Sequence, residues 1–189
     1  MAEDSKEAPD IKFIDLNTRR RMIQGSIELL RSPHLDTRWR AAENLGIIGD
    51  QTAVQPLIEA LDDPFVDVAW LAAKSLGSIG DTRAVAPLLR ALSSNEPWLR
   101  AGAATGLGKL GDKRAVEPII ALLDDSKRQV RKYAAVALGF LGDDRALGPL
   151  EKIAGDDTDD KVKAAATAAI RMIRMKSEDI AEEKSGASE

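Results

Sequence analysis

The chain contains no cysteine, which excludes disulfides, thiolate metal sites and cysteine nucleophiles and suits a reducing cytoplasm. It holds one histidine, His34, so constellations built on several imidazoles are out of reach. Aromatic residues make up 4% of the sequence, low for a β-sandwich or barrel but ordinary for helices rich in alanine and leucine. No apolar run approaches the roughly 18 residues that a membrane-spanning helix needs. The opening segment MAEDSKEAPD has no apolar core of a secretory signal, so neither secretion nor membrane insertion is expected. Positive charge is not in excess either: 27 Lys and Arg stand against 31 Asp and Glu, a net charge of −4. That balance argues against a general nucleic-acid binder.

What is present is a repeat. LGIIGD begins at Leu45, LGSIGD at Leu76, LGKLGD at Leu107 and LGFLGD at Leu138, each 31 residues after the last. Pro56, Pro87, Pro118 and Pro149 return at the same spacing, as do the pairs Ala41-Ala42, Ala72-Ala73, Ala103-Ala104 and Ala134-Ala135. Leu99-Arg100, Val130-Arg131 and Val162-Lys163 open their alanine segments in the same manner, the last after one extra residue in DDTDD. A first unit lacks a glycine signal before it, but its Ile23, Ile27 and Leu30 match Val54, Ile58 and Leu61.

Both halves of the unit read as helix. Val68, Ala72, Leu76 and Ile79 fall on one face at helical spacing. In RAVAPLLRAL the preceding aspartate is a good N-cap, and the proline falls within or just after the first turn, where a missing N–H costs least. The glycine that closes the alanine helix suits the left-handed C-terminal position. The GD dipeptide thus ends one helix and starts the next.

The unit resembles the HEAT-like repeat of the short, PBS-lyase type, whose second helix reads roughly V-R-x-x-A-A-x-A-L-G. The resemblance covers about residues 16–175 as five two-helix units. It implies an all-α fold, a right-handed α-solenoid whose second helices line the concave side. Such pairs cannot bury an apolar face alone and complete their core by stacking. Gly25 and Ser26 depart from the pattern in the first unit, as a solvent-facing end allows. Residues 1–15 and 176–189 form polar tails that are expected to be mobile.

Tests for chemistry find none. Gly106-Leu-Gly108-Lys-Leu-Gly111 spells a dinucleotide-loop string, but it closes a helix where that loop must open one. Deoxyhypusine hydroxylases, an enzyme type that shares the repeat, hold two irons with repeated His-Glu pairs, and this sequence has no such pair. His34 reads as a solvated loop residue. The run Asp156-Asp157-Thr158-Asp159-Asp160 lacks the glycine and distal glutamate of a calcium loop and reads as a helix cap. The expectation is a non-enzymatic chain with no cofactor and no metal. The family also includes subunits that attach or detach bilins on light-harvesting proteins, which leaves a bilin-lyase-like accessory subunit as an alternative.

If the shared positions build the scaffold, function lies where the copies diverge. An angular projection places Trp39, Glu43 and Ile47 outward, followed by Trp70, Lys74 and Ser78, then Ala101, Thr105 and Lys109, then Lys132, Val136 and Phe140. Arg40, Leu71, Gly102 and Tyr133 lie beside this column. The expected protein-binding residues are Trp39, Arg40, Glu43, Trp70, Leu71, Lys74, Lys109, Lys132, Tyr133 and Phe140, in line with the weight of Trp, Tyr and Arg at interfaces. Trp98, in EPWLR, is expected to pack at a helix end. The expected partner is an unidentified protein or peptide. Two further readings are nucleic acid on a basic patch (Lys127, Arg128, Arg131, Lys132, with Arg171, Arg174 and Lys176), and self-association of the last repeat through Ala168, Met172 and Met175.

Overall fold

The computed structural model describes residues 15–186, with side chains described as far as Glu178. Ten α-helices follow one another among them, and no strand. They pair as α1 (Leu16–Leu29) with α2 (Leu35–Ile48), α3 (Val54–Glu59) with α4 (Val66–Ile79), α5 (Val85–Ala91) with α6 (Pro97–Leu110), α7 (Val116–Ala121) with α8 (Arg128–Leu141), and α9 (Leu147–Asp156) with α10 (Asp160–Gly186). The result is an α-solenoid of five two-helix repeats. Residues 1–14 and 187–189 of the expected tails lie outside the described residues. The backbone from 176 onward, expected as the start of a tail, continues α10 to Gly186.

The GD dipeptides work as punctuation. Gly49, Gly80, Gly111 and Gly142 end α2, α4, α6 and α8 with φ between 62° and 80°, a left-handed conformation that a Cβ disfavours. The following aspartates do not cap an α-helix directly. Asp50, Asp81, Asp112 and Asp143 each accept a backbone N–H two residues on and start a 3₁₀ turn, which then runs into the short first helix. The prolines occupy the third position of α3, α5, α7 and α9, where no intrahelical donor is lost.

The core is a continuous seam along the stack. Leu45, Leu76, Leu107 and Leu138 are fully buried from the second helices, and Leu57, Leu88, Ile119 and Leu150 from the first. The alanine pairs are buried with them. The first glycine of each LGxxG, to which the sequence assigned no role, sets how closely second helices approach. A Cβ on Gly77 would lie 2.5 Å from the Cα of Gly106, and one on Gly108 would lie 2.8 Å from the Cα of Ala137. The second helices therefore meet backbone to backbone. The first helices are spaced by open clefts, of about 240 Å³ between α3 and α5 and about 360 Å³ between α7 and α9.

Arginine–aspartate pairs tie successive repeats. Arg38 donates to Asp63 through Nε at 2.6 Å and Nη2 at 3.0 Å, Arg100 does the same to Asp125, and Arg131 to Asp157. Each arginine also donates to a carbonyl six residues back in its own repeat, that of Ser32, Ser94 or Asp125. The paired aspartate accepts the backbone N–H of the residue two further on, shaping the turn into the second helix. Arg100 and Arg131, the basic residues that follow Leu99 and Val130, are thus inter-repeat ties.

Candidate interaction surface

The candidate surface lies on the second helices. Trp70 of α4, Trp98 of α6 and Tyr133 of α8 form a row across three repeats. The Trp70 and Trp98 rings meet edge to face, with centroids 6.3 Å apart and planes at 82°. Trp98 and Tyr133 follow at 6.5 Å and 59°. Trp98 is 42% exposed and stands at the middle of the row. This corrects the expectation that it packs at a helix end. Pro97 opens α6 at its first position, and the side chain that follows projects toward both neighbouring repeats.

Lysines flank the rings. Lys74 Nζ sits 4.1 Å from the Trp70 ring centre and Lys132 Nζ 5.7 Å from that of Tyr133, within cation–π range. Lys109 Nζ donates to Ser78 Oγ at 3.0 Å from the next helix. Burial pushes the Lys74 ammonium below its ordinary pKa, the nearby Lys109 pushes the same way, and Glu43 opposes both. A cleft of about 180 Å³ opens beside Trp98 and Tyr133, with Lys132, Lys161, Arg128 and Asp159 on its walls. Among the described residues Arg128 pairs with Asp159 at 2.9 Å.

The other expected contact residues divide. Trp39 is half-buried against the core, without a ring partner among the described residues, and Glu43 is half-buried beyond the row. Arg40 and Phe140 are exposed, the latter at 43%. Leu71 is buried at 6% and belongs to the core, as do Gly102, Ala101 and Thr105 of the expected small-residue trough. A middle second helix is flanked by two others as well as by its own first helix, so its buried arc is wider than a two-layer projection allows. Trp70 covers Gly102 directly: a Cβ there would meet the indole Cδ1 at 3.0 Å. The Thr105 hydroxyl, facing no solvent, donates to the Ala101 carbonyl at 2.8 Å.

Much of the basic patch is already answered. Arg131 is held by Asp157, Arg128 by Asp159 and Arg174 by Glu151, and Lys176 donates to the Phe140 carbonyl. In the acidic run, Asp159 accepts from the N–H groups of Lys161 and Val162 at the start of α10. His34 is exposed ahead of α2. Met172 is half-buried and Met175 is 64% exposed. Among the described residues no helix is long and apolar enough to cross a membrane.

Stacked helix pairs with a shared seam define an α-solenoid repeat protein, and comparison with known proteins agrees. The family described as HEAT repeats matches residues 23–100 and again 85–171. The chain belongs to the HEAT repeat family, and its units are HEAT-like repeats of the PBS-lyase type. No curated protein matches the sequence. Among solved structures it is similar to that of the complex of CpcE and CpcF of phycocyanin lyase from Nostoc sp. PCC7120, at 26% identity and TM-score 0.72, over 92% of this chain and 69% of that one. It also resembles a designed armadillo repeat protein in complex with the peptide (KR)4, at 18% identity and TM-score 0.57, over 83% of this chain and 86% of that one. Human deoxyhypusine hydroxylase in complex with glycerol is a more distant likeness, at 20% identity and TM-score 0.50, over 82% of this chain and 75% of that one.

Proposed function

We propose that the protein is a non-enzymatic scaffold, acting in the cytoplasm, that binds another protein or a peptide along the second-helix face of the solenoid of residues 16–175. The observation that carries this reading is the row Trp70–Trp98–Tyr133 with its flanking lysines, open to solvent at Trp98. Aromatic anchors beside cations are what interfaces most often use. Tight backbone packing of the second helices, against open clefts between the first, supports a stack that curves toward the second-helix layer. The row then lies on its concave side. That a similar designed solenoid holds a peptide, and that a similar lyase structure is a complex of two chains, is consistent with a polypeptide partner.

The test is capture of interacting proteins by the wild type and by Trp98→Ala, with urea denaturation to establish that the variant folds. Partners retained by the wild type and lost by the folded variant support the reading. An identical set on both overturns it.

The match to phycocyanin lyase favours a second reading, an accessory subunit for a chromophore-bearing protein. Its check is the visible absorbance of phycocyanin after mixing with the protein. A change in the chromophore bands selects this reading, and unchanged bands reject it.

A further inference from the structure

We infer that the occupant of the aromatic row is an acidic, extended polypeptide segment, with one carboxylate shared by Lys74 and Lys109 and another entering the cleft between Trp98 and Tyr133 beside Lys132 and Lys161. The inference rests on the docking reading above and adds the chemistry of the partner.

Charge complementarity carries it. The ion pairs among the described residues occupy the arginines of this region and leave the lysines out: Arg128, Arg131 and Arg100 each hold an aspartate, whereas Lys74, Lys109, Lys132 and Lys161 hold none. Lys74 is half-buried over the Trp70 ring, the Lys109 ammonium reaches across from the next helix to Ser78 one turn further along α4, and Glu43 opposes the repulsion between the two lysines. A pair of like charges at a half-buried site is relieved when an anion settles between them.

The column holding Trp98 points the same way. Its position carries Asp36 in α2, Asp67 in α4, Trp98 in α6, Gln129 in α8 and Lys161 in α10, so this column runs from acidic at the first two repeats to basic at the last. Carboxylates are therefore favoured from Lys74 and Lys109, where the second and third repeats meet, toward the fifth repeat, and disfavoured beside Asp36 and Asp67.

Spacing sets the form of the segment. Packed helix axes lie about 8–10 Å apart, and an extended chain in the polyproline II form rises about 3.1 Å per residue with three residues per turn, so about three residues pass each repeat and every third side chain faces the same way. Acidic side chains every third residue reach successive lysines, and the apolar residues between them lie on the rings. Single-stranded nucleic acid fits less well. Rings crossed at 82° and 59° do not offer parallel faces to successive bases, and two of them carry a lysine. Stacking platforms need open faces.

The experiment uses fluorescence anisotropy with three labelled probes of about nine units, the length of three repeats. They are a peptide of Glu-Leu-Ser triplets, the matching Lys-Leu-Ser peptide, and oligothymidylate. The full chain is expected to bind the acidic peptide at least about tenfold more tightly than the basic one, a difference that shrinks as salt screens it. Lys74→Glu/Lys109→Glu, folded by urea denaturation, reverses the preference. Tighter binding of the basic peptide or the oligonucleotide overturns the inference, as does a preference that survives the charge reversal. If no probe binds while Trp98→Ala still loses captured proteins, this inference falls and the docking reading stands. If Trp98→Ala loses nothing, both fall.

Discussion

Arg131 holds Asp157 with two hydrogen bonds, Nε to Oδ2 at 2.6 Å and Nη2 to Oδ1 at 3.0 Å, and the aspartate side chain is only 3% exposed. The same tie joins Arg38 to Asp63 and Arg100 to Asp125. Between them one rung is missing on both sides at once: Ala69 stands where the arginine would be and Ser94 where the aspartate would be. An arginine alone at 69 or an aspartate alone at 94 would bring in an unpaired charge, so the two positions make sense only together.

Removing an existing rung is expected to be costly. Arg131→Ala leaves the buried Asp157 unpaired and lowers unfolding stability by about 3 kcal/mol. Rebuilding the missing rung is the complementary test. Ala69→Arg and Ser94→Asp each give no stabilisation alone, and together show a favourable coupling of about 1 kcal/mol or more in a double-mutant cycle. Urea denaturation measures both, and zero coupling would show that these positions do not meet.

Helix approach is limited by glycine at particular points. Gly77→Val drives a side chain into the backbone of Gly106 and is expected to cost about 3 kcal/mol or to prevent folding. Gly25 lies within α1 with nothing near its added Cβ, so Gly25→Ala raises stability by about 1 kcal/mol. Opposite signs in the two melting curves are the expected outcome.

Acid weakens the joints between repeats. Asp143 is held at about 2, against an ordinary 3.8, chiefly by the hydrogen bond from Arg145, with burial opposing and Lys113 assisting. Hydrogen bonds from Thr52, Arg83, Arg114 and Arg131 lower Asp50, Asp81, Asp112 and Asp157 in the same direction. A carboxyl lowered in the folded state binds fewer protons there than in the unfolded chain. Its stabilisation is complete above pH 3.8 and is lost as pH falls toward 2. The melting temperature is expected to be flat near neutrality and to fall through that window, with a shallower fall in Asp143→Asn.

The two tryptophans of the row are expected to separate in stability. Trp98 is 42% exposed and its loss removes edge contacts worth about 1 kcal/mol. Trp70 packs on the core and over Gly102, and Trp70→Ala costs about 3 kcal/mol. Urea denaturation of the two variants compares them, and equal losses would show that Trp98 is as deeply structural as Trp70.

The repeat, its helices and their ends were legible because each rests on local chemistry: glycine at positive φ, aspartate before a turn, proline early in a helix. The aromatic row was legible only in part. The angle on a single helix placed Trp70, Lys74, Lys132 and Tyr133 outward, and it also admitted Leu71, Gly102 and Thr105, which neighbouring helices bury. Trp98 was passed over because its place at a helix start says nothing about the two repeats it touches. One signal was available: Trp98 replaces the aspartate that the two preceding repeats carry at Asp36 and Asp67.

The sequence by itself determined the period, the two-helix unit and the seam of leucine and alanine, because these follow from residues close together in the chain. The tertiary structure alone decided which second-helix side chains remain in solvent, which arginines are spent on ties between repeats, and which aromatic rings from separate repeats come together. Those outcomes depend on the spacing and rotation of one repeat against the next. That geometry is set by glycines meeting backbone to backbone, and no single helix contains it.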